Sequence, residues 1–421
     1  EGIVLTGQMQ DVILIDTQGE PTYPVILYSD SRAVHEAVAI QAAIGADHLM
    51  ALTGNGQEAG SLLAKLRWLQ AHEPTALDRA AHMLTGAADY LAFRLTGVAA
   101  TDTTTASTTG LLELERRTWL QPDLLKVAGI ESSGRLFPRL VAGGTHIGSA
   151  HETGATAFGV PAGTPVYLGP GDAGAATLGA GGGAGGPPYA YIGTSGWVAF
   201  TGDQRSDPAS GAFNLAHPIP QQVICVAPLL TAGGNLDWIK HVTGAESHAE
   251  IIEAAIQAPP SNLLYLPYLN GERSPFSDPF ARGAFIGLNS SHNQVDLTRA
   301  VLEGVAFAYR HALDSLITTP VSRLILTGGG TRSAGWNQLI TDVIGVDVAI
   351  ADDASNVGLR GALLAAQVWR GERSSYRLDT VPVSASLRPN DALYEAYTPK
   401  YGWFQEAYRC LKDLFGQMSA S

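Results

Sequence analysis

The stretch LGPGDAGAATLGAG, residues 168–181, surrounds one charged side chain, Asp172, with five glycines and four alanines. Such small residues build little hydrophobic core, and each glycine costs backbone entropy on folding. The composition therefore indicates either a tightly packed corner or a place where something large must approach the carboxylate. Taken alone, the pattern favours Asp172 as the N-cap of a helix over AGAATLGAG.

The same glycine-rich region predicts a domain junction, at about residues 165–185. The strand-like runs PVYLG and AYIGTSGWVAF border it, so a flexible linker is not favoured. A chain of 421 residues also exceeds what one hydrophobic core usually supports. We therefore expect two domains, over residues 1–170 and 171–421.

Composition and charge exclude several classes of protein. Apolar residues make up 45% of the chain and charged residues 15%, with a net charge of −13, which argues against nucleic acid as a partner. An anionic cofactor is compatible with this charge if backbone N–H groups and a metal ion hold it. Cys225 and Cys410 lie far apart, so we expect no disulfide, no zinc site and a cytoplasmic location. No apolar run is long enough to predict a membrane span.

The order of predicted elements favours an α/β fold. QQVICVAPLL and RLILTGGG predict strands, and VDLTRAVLEGVAFAYRHALDSLI predicts a long amphipathic helix. This alternation of strands and helices is typical of α/β architecture. By contrast, the threonine-rich run from Thr101 to Thr109 predicts a solvated loop or a strand edge.

Two glycine turns have the composition of phosphate sites. In YIGTSGWVAF, Gly193 to Gly196 separate two apolar strands, which predicts either an ordinary hairpin or a turn that presents N–H groups and hydroxyls to an anion. In LILTGGGTRSAGWNQLI, three glycines follow a strand, and a helix is predicted to begin near Ser333. A helix N-terminus after such a loop can bind a nucleotide. Asp172 could then act as a base toward a hydroxyl that attacks a phosphoryl group.

Nine segments together resemble the FGGY carbohydrate kinases of the actin/hexokinase/Hsp70-like superfamily, along nearly the whole chain. They are TGQMQDVILID, YSDSRA, KLRWLQAHEP, DYLAFRLTG, GTPVYLGPGDAGAATLGAG, YIGTSGWV, YLNGERSPFSDPFARGAFIGL, LTRAVLEGVAFAYRHAL and LILTGGGTRSAGWNQLITDVIG. The GERSPF to LEGVAFAYR stretch is the most specific of them. In that stretch we expect Glu272 and Arg273 to brace a loop by ion pairing.

The resemblance implies two ribonuclease-H-like domains with an interdomain cleft, in which ATP and Mg²⁺ serve the phosphorylation of a small sugar. A ketopentose such as xylulose ranks first, gluconate or another sugar acid second, and a polyol such as glycerol third. A non-catalytic member that binds nucleotide or sugar is the alternative from another class. The oligomeric state, homodimer included, stays open.

The resemblance also implies a role for particular residues. Asp172 matches the general base, which overrides the N-cap interpretation, and no residue is assigned to a metal. The residues matching sugar contacts are Met9, Gln10, Asp30 and Arg32, together with Asp172. The residues matching nucleotide contacts are Gly193, Thr194, Ser195 and Gly196 on the phosphate side, and Gly328, Gly329, Gly330, Ser333 and Asn337 on the adenosine side. The small residues around Asp172 would leave room for sugar and phosphate.

Three departures from the family pattern bear on these expectations. Members begin with an Asp-x-Gly-Thr strand and hairpin ahead of TGQM, so we expect an N-terminal segment to be missing, the remaining sheet to have an exposed edge and the chain as written to be poorly active. The xylulokinase branch carries Met-His-Gly where this chain has Met9, Gln10 and Asp11, and Asn where it has Ala173. Both changes remove expected sugar contacts. Tyr28 replaces a tryptophan and keeps an aromatic wall.

Overall fold

The computed structural model describes residues 1–183, 185–207, 210–352, 356–378 and 380–419, and it has the α/β class expected from the sequence. Helices pack against short strands in the N-terminal half. In order, its elements are β1 (Ile3–Leu5), β2 (Met9–Ile15), α1 (Val34–Ile44), α2 (Ala46–Thr53), α3 (Leu62–His72), α4 (Pro74–Arg79), β3 (His82–Gly86), α5 (Ala87–Thr96), β4 (Ala100–Asp102), α6 (Thr103–Ala106), β5 (Leu112–Glu113), β6 (Thr118–Trp119), α7 (Pro122–Val127), β7 (Arg139–Val141), β8 (Thr145–Ser149), α8 (Glu152–Phe158) and β9 (Pro165–Leu168). Its strands form a three-stranded sheet, β1-β9-β8, and several two-stranded pairs, and β1 lies at one edge of the three-stranded sheet.

The C-terminal half is built on a seven-stranded sheet, in the order β12-β13-β11-β10-β16-β17-β18. Its elements are α9 (Asp172–Gly179), β10 (Tyr189–Ile192), β11 (Gly196–Gly202), β12 (Phe213–Ala216), β13 (Val223–Leu229), α10 (Gly234–Thr243), α11 (His248–Gln257), β14 (Leu264–Leu266), β15 (Ala284–Ile286), α12 (Gln294–Leu316), β16 (Arg323–Thr327), α13 (Ala334–Ile344), β17 (Asp347–Ala351), α14 (Val357–Trp369), β18 (Val383–Leu387) and α15 (Asp391–Ser419). β10, β16 and β17 run parallel, so their carboxyl ends share one edge of the sheet.

Local sequence signals explain many helix ends. α5 and α13 end at Gly97 and Gly345, both in the left-handed region that glycine adopts at low cost. α12 begins with a capping box in which the Asn293 and Asp296 side chains each bind the other's backbone N–H. The long helix predicted from its amphipathic pattern is present, but α12 is buried on most of its sides because α10, α11, α13 and α15 all pack around it.

The threonine-rich run was predicted as a solvated loop or strand edge, and this is wrong for most of it. It forms β4 and α6, and Thr101, Thr104, Thr105 and Thr109 are buried. The hydroxyls are satisfied internally: Thr109 Oγ1 donates to the Ala106 carbonyl at 2.6 Å, and similar bonds hold the others. Buried hydroxyls with such partners cost little.

The two halves are joined by buried polar contacts from Asn55, which follows α2, and from α6 to strand β12. The Asn55 side chain binds the backbone of Asn214 twice, donating to its carbonyl at 2.9 Å and accepting its N–H at 2.8 Å. Thr104 Oγ1 donates to the Ala216 carbonyl at 2.6 Å. These hydrogen bonds therefore attach β12, a strand of the C-terminal half, to the N-terminal half. The domain boundary between residues 170 and 171 stays a prediction.

Among the described residues, no helix combines the length and apolarity that crossing a lipid bilayer requires.

Candidate active site

An open cavity of about 230 Å³ lies between the two halves, at the start of β2 and α9. Its lining comprises Gln8, Met9, Gln10, Tyr28, Thr108 and Asp172. The β2 backbone departs from a regular strand here: Gln10 has φ 68°, and the pairing with β3 shifts between Met9 and Ile13. A non-glycine residue in the left-handed region is strained, and such strain clusters at binding sites. Met9 and Gln10, at this irregularity, both line the cavity.

Asp172 is the first residue of α9, and its carboxylate lines the cavity. Gly171, not Asp172, is the N-cap, so the helix-cap role weighed from the sequence is wrong. Asp172 Oδ1 accepts the N–H of Ala173 at 2.7 Å. The pKa of Asp172 is raised to about 6, mainly because the surrounding protein desolvates the carboxylate, with smaller contributions from the nearby Asp102 and Asp11. A carboxylate with this pKa is ionised at neutral pH and more basic than usual.

Most glycines around Asp172 serve packing rather than ligand access, which corrects the expectation from sequence. A Cβ on Gly171 would overlap the Met9 side chain, and one on Gly174 would lie 2.8 Å from the Thr104 methyl. A Cβ on Gly179 would overlap the Val357 carbonyl of α14. The half-buried Ala173 and Ala176 instead pack against the buried cluster that contains Tyr189, Ile325 and Val357. The stretch is therefore chiefly a tightly packed corner.

Asp30 and Arg32 are not among the residues that line this cavity. They lie just beyond Tyr28 and pair with each other, with Arg32 Nη2 2.7 Å from Asp30 Oδ2. The hydrogen bonds from Arg32 lower the pKa of Asp30 to about 2. The guanidinium of Arg32 also lies 4.9 Å from the centre of the Trp68 ring. Both residues thus lie on the loop that carries Tyr28, outside the set of residues that lines the cavity.

The two glycine turns lie side by side. Gly193–Gly196 connects β10 to β11, and Gly328–Gly330 follows β16, which pairs with β10 in parallel. A Cβ on Gly328 or Gly330 would overlap Ile192, the last residue of β10, whereas one on Gly329 would meet nothing within 4 Å. Thr194 and Ser195 are exposed at the tip of the first turn. Ligands of α/β sheets bind at this edge, outside the carboxyl ends of parallel strands.

Ser333 and Asn337 order the second turn. Ser333 is the N-cap of α13, and its side chain accepts the N–H of Trp336 at 3.3 Å. Asn337 Nδ2 donates to the Thr331 carbonyl at 2.8 Å, while its buried Oδ1 has no hydrogen-bond partner in the structure. Asn337 therefore anchors the residue that follows the three glycines, and Ser333 caps the helix that begins after the loop.

Sequence reasoning missed an adjoining cavity of about 80 Å³. It shares Gln10 and Tyr28 with the first cavity, and the C-terminal half contributes Phe213 and Arg273 to it. The guanidinium of Arg273 lies 4.1 Å from the centre of the Phe213 ring and 3.6 Å from Glu58 Oε2, in the N-terminal half. The GERSPF motif, which contains Arg273, was the sequence signal for this cavity, but the residues that Arg273 contacts are remote in sequence.

Glu272 does not brace its loop by an ion pair, in contrast to the expectation from sequence. Its buried carboxylate accepts the backbone N–H groups of Leu230 at 2.9 Å and Arg273 at 2.8 Å. Burial raises the pKa of Glu272 to about 7. It holds the loop through the backbone instead, while Arg273 is left free to reach Glu58.

The residues described here do not form a magnesium site by themselves. Within the described ranges, no three His, Cys, Asp or Glu side chains come close enough together to hold a metal ion. Asp172 offers one carboxylate to the cavity, and Mg²⁺ requires further oxygen ligands.

Comparison with known proteins identifies the family. Residues 1–179 match the model of the N-terminal domain of the FGGY family of carbohydrate kinases, and residues 189–369 match that of its C-terminal domain. The xylulose kinase of Escherichia coli strain K12 is 31% identical over 417 residues, which cover 97% of this chain and 85% of that protein.

Two solved structures have the same fold. The xylulose kinase of Rhodospirillum rubrum superimposes with a TM-score of 0.88 at 30% identity, covering 99% of this chain and 85% of the other. The gluconate kinase of Lactobacillus acidophilus superimposes with a TM-score of 0.90 at 25% identity, covering 98% and 85%. The expected actin/hexokinase-like fold of two α/β domains is confirmed. The chain belongs to the FGGY family of carbohydrate kinases, enzymes that use ATP to phosphorylate sugars.

Proposed function

We propose that this carbohydrate kinase phosphorylates a ketopentose, xylulose first, with Asp172 as the general base. The observation that carries the proposal is the position of the Asp172 carboxylate, on the wall of the cavity that Met9 and Gln10 also line. The likeness to relatives named xylulose kinase supports the choice of sugar. In this proposal residues 1–170 form the sugar-binding domain and residues 171–421 the nucleotide-binding domain.

The proposed reaction needs little from the protein beyond positioning and one proton acceptor. Asp172 takes the proton of a sugar hydroxyl as the oxygen of that hydroxyl bonds to the γ-phosphorus of ATP. The bond between this phosphorus and the bridging oxygen of ADP breaks, and ADP leaves. Backbone N–H groups and exposed hydroxyls at Thr194 and Ser195 bind the phosphates, and the loop of Gly328 to Gly330 contacts the adenosine side.

Mg²⁺ belongs to the proposal as a partner of the nucleotide. In proteins this ion is commonly held by substrate phosphates with one or two carboxylates, rather than by a cage of side chains. Its assignment rests on the family, since the described residues do not form its site alone. A cytoplasmic location is a prediction from sequence alone, and a homodimer is one of the oligomeric states that the sequence leaves open.

Gluconate or another sugar acid is the second candidate, and one observation favours it. The Arg273 guanidinium lines the cavity next to the proposed sugar site, where it could meet a carboxylate. Glu58 lies 3.6 Å from Arg273 and offsets part of its charge, which favours a neutral sugar instead.

A coupled assay of ADP release across ketoses, aldonates and polyols tests the proposal. We expect the largest kcat/KM with a ketopentose, and sugar-dependent ADP release about 10²–10⁴ slower with Asp172→Asn. The largest kcat/KM with an aldonate would replace xylulose by the second candidate. ATP binding without ADP release from any sugar would instead indicate a non-catalytic binding protein.

A further inference from the structure

The β13–α10 loop, residues 230–233, contacts the turn between β10 and β11 that is proposed to bind the phosphates. The N–H of Ala232 donates to the Thr194 carbonyl at 2.9 Å. The N–H of Gly233 donates to the Gly193 carbonyl at 2.8 Å. A Cβ on Gly233 would lie 2.5 Å from the Gly193 carbonyl oxygen, so the two backbones are in direct contact. The position of the phosphate turn therefore depends on the position of this loop.

The carboxylate of Glu272 holds the other end of the β13–α10 loop. Its Oε1 accepts the N–H of Leu230, the first residue of the loop, at 2.9 Å. The same oxygen accepts the N–H of Arg273 at 2.8 Å. Glu272 is 2% exposed, and its backbone forms two hydrogen bonds of 2.9 Å with that of Asp278, so the residue itself is fixed. One oxygen atom thus joins the β13–α10 loop to the segment that carries Arg273.

That segment lies on the sugar side of the cleft. Arg273 lines the smaller cavity, next to the proposed sugar site. Its guanidinium lies 4.1 Å from the centre of the Phe213 ring and 3.6 Å from Glu58 Oε2. A Cβ on Gly211 would overlap the Arg273 carbonyl, so the backbone of Arg273 is packed as closely as its side chain. Contacts of their own hold both sides, and Glu272 connects them.

We propose that Glu272 is a positioning residue of the phosphoryl transfer, which aligns the phosphate turn with the sugar side of the cleft. This inference rests on the proposed function, in which Thr194 and Ser195 bind the phosphates and the sugar lies beside Asp172. Transfer requires the attacking hydroxyl to be aligned with the γ-phosphorus, and a misplacement of about 1 Å can lower the rate roughly a hundredfold. Each ligand still binds when the two sides are misaligned, because the turn is closed by its own hydrogen bond, from the N–H of Gly193 to the Ser195 carbonyl at 2.9 Å.

Glu272→Met is the test, because methionine keeps the length of the side chain and has no carboxylate to accept the two N–H groups. Glu272→Gln is the conservative variant, since its amide oxygen accepts in place of Oε1. We expect kcat to fall by about ten- to a hundredfold in Glu272→Met, with the affinities for ATP and sugar unchanged in calorimetric titrations. Glu272→Gln should keep most of the wild-type kcat. A loss of affinity for one ligand with kcat retained would assign Glu272 to the binding of that ligand alone and overturn the proposal.

Tyr408→Phe is the matched control, because it removes a buried hydrogen bond from another side of the same segment. Tyr408 Oη donates to Asp278 Oδ2 at 2.8 Å, and both residues are 6% exposed. The ring should stay stacked on Phe276, whose centre lies 3.7 Å away. We expect a lower urea midpoint with an unchanged kcat. Equal losses of kcat in Tyr408→Phe and Glu272→Met would indicate general loosening of the fold and contradict the proposal. So would wild-type kcat in folded Glu272→Met.

Hydrogen exchange tests the connection without sugar or nucleotide. In Glu272→Met we expect faster amide exchange in residues 229–236 and 190–197, because the β13–α10 loop and the phosphate turn both lose their attachment. In Tyr408→Phe the exchange of these two ranges should stay at the wild-type rate. Unchanged exchange of both ranges in Glu272→Met would refute the connection, whatever the value of kcat.

If Glu272→Met does not fold, Gly233→Ala disturbs the same connection at its other end. The added methyl group should push the β13–α10 loop away from Gly193, and we expect the same fall in kcat with both affinities unchanged. Wild-type kcat in this variant would overturn the proposal. Wild-type protein without sugar-dependent ADP release would instead refute the proposed function, and hydrogen exchange would still show whether Glu272 holds the phosphate turn.

Discussion

Gly361 of α14 and Gly179 of α9 are in direct contact, and a Cβ on Gly361 would lie 2.7 Å from the backbone nitrogen of Gly179. The same Cβ would overlap the Ala175 carbonyl. These glycines therefore allow the backbones of the two helices to touch. Because α9 begins with Asp172, this contact fixes the direction of the helix that carries the proposed base.

Gly361→Ala should force the two helices apart. Overpacking of this kind costs about 1–3 kcal/mol, and the movement of α9 should also lower kcat. Gly358→Ala, on the same helix, is the control: its Cβ would meet nothing within 4 Å, and alanine is favoured in a helix by roughly 0.5–1 kcal/mol. Urea unfolding and kcat of both variants check this. Equal stability of the two would show that the helices do not touch at Gly361.

The pH dependence of the reaction should report Asp172. With a pKa of about 6, the carboxylate is increasingly protonated below that pH, so kcat/KM should fall tenfold per unit there and be constant above it. Asp172→Asn should abolish this limb and lower turnover by about 10²–10⁴, with ATP binding unchanged. A flat profile in the wild-type protein, or full turnover in the variant, would exclude Asp172 as the base.

Ionised Asp172 should lower the free energy of unfolding at neutral pH. A raised pKa means that the folded state favours the protonated form. Protonation of Asp172 therefore stabilises the fold at low pH, and this stabilisation is lost as the pH rises through about 6. Because Asp172 is exposed to solvent, water screens part of this cost, and Asp172→Asn should melt at a slightly higher temperature than wild type at pH 8, with the difference vanishing near pH 4. Calorimetry at the two pH values measures this. A variant less stable than wild type at pH 8 would contradict the direction of the shift.

Gly329→Leu should weaken nucleotide binding without unfolding the protein. The position is open, so the substituted side chain fits the free structure and enters the space proposed for adenosine. We expect a loss of about tenfold or more in ATP affinity, roughly 1.4 kcal/mol, by calorimetric titration. Gly402→Leu, at an equally open position on α15, controls for the added apolar surface. A change in the KM for sugar alone would show that the loop of Gly328 to Gly330 does not contact the adenosine.

A buried ion cluster should make the C-terminal half sensitive to the loss of one of its charges. Glu303 of α12 is almost fully buried, and its Oε1 lies 2.7 Å from Arg299 Nε while Oε2 meets Lys400 Nζ of α15. Glu303→Gln should cost about 3–5 kcal/mol, because it leaves two cations buried without their partner. Glu406→Gln, which breaks an exposed pair with Arg409, should cost at most about 1 kcal/mol. Equal losses in urea unfolding would contradict the burial argument.

The sequence predicted the family, the fold class and the two glycine turns, because each depends on contiguous motifs or local periodicity. It misjudged the threonine-rich run because the partners that bury it are remote: Thr104 binds Ala216, 112 residues along the chain. Composition also cannot separate a glycine that admits a ligand from one that admits another backbone, since both simply lack a Cβ. Gly329 and Gly361 are of these two kinds, and only their surroundings distinguish them.

Arg273 should act on the sugar side of the cleft alone. It comes from the C-terminal half, lines the cavity beside Gln10 and Tyr28, and pairs with Glu58 of the N-terminal half. Arg273→Ala should therefore raise the KM for sugar, by about tenfold if one charged hydrogen bond of roughly 1.5 kcal/mol is lost, and leave ATP affinity unchanged.

Arg282→Ala is the control, because Arg282 is exposed on the same loop and binds the carbonyls of Pro279 and Ala281. Exchanging the charges, with Glu58→Arg and Arg273→Glu together, should recover part of the lost sugar affinity if the pair closes the cleft. An equal rise in the KM for ATP would show instead that Arg273 supports the fold of the whole cleft rather than its sugar side.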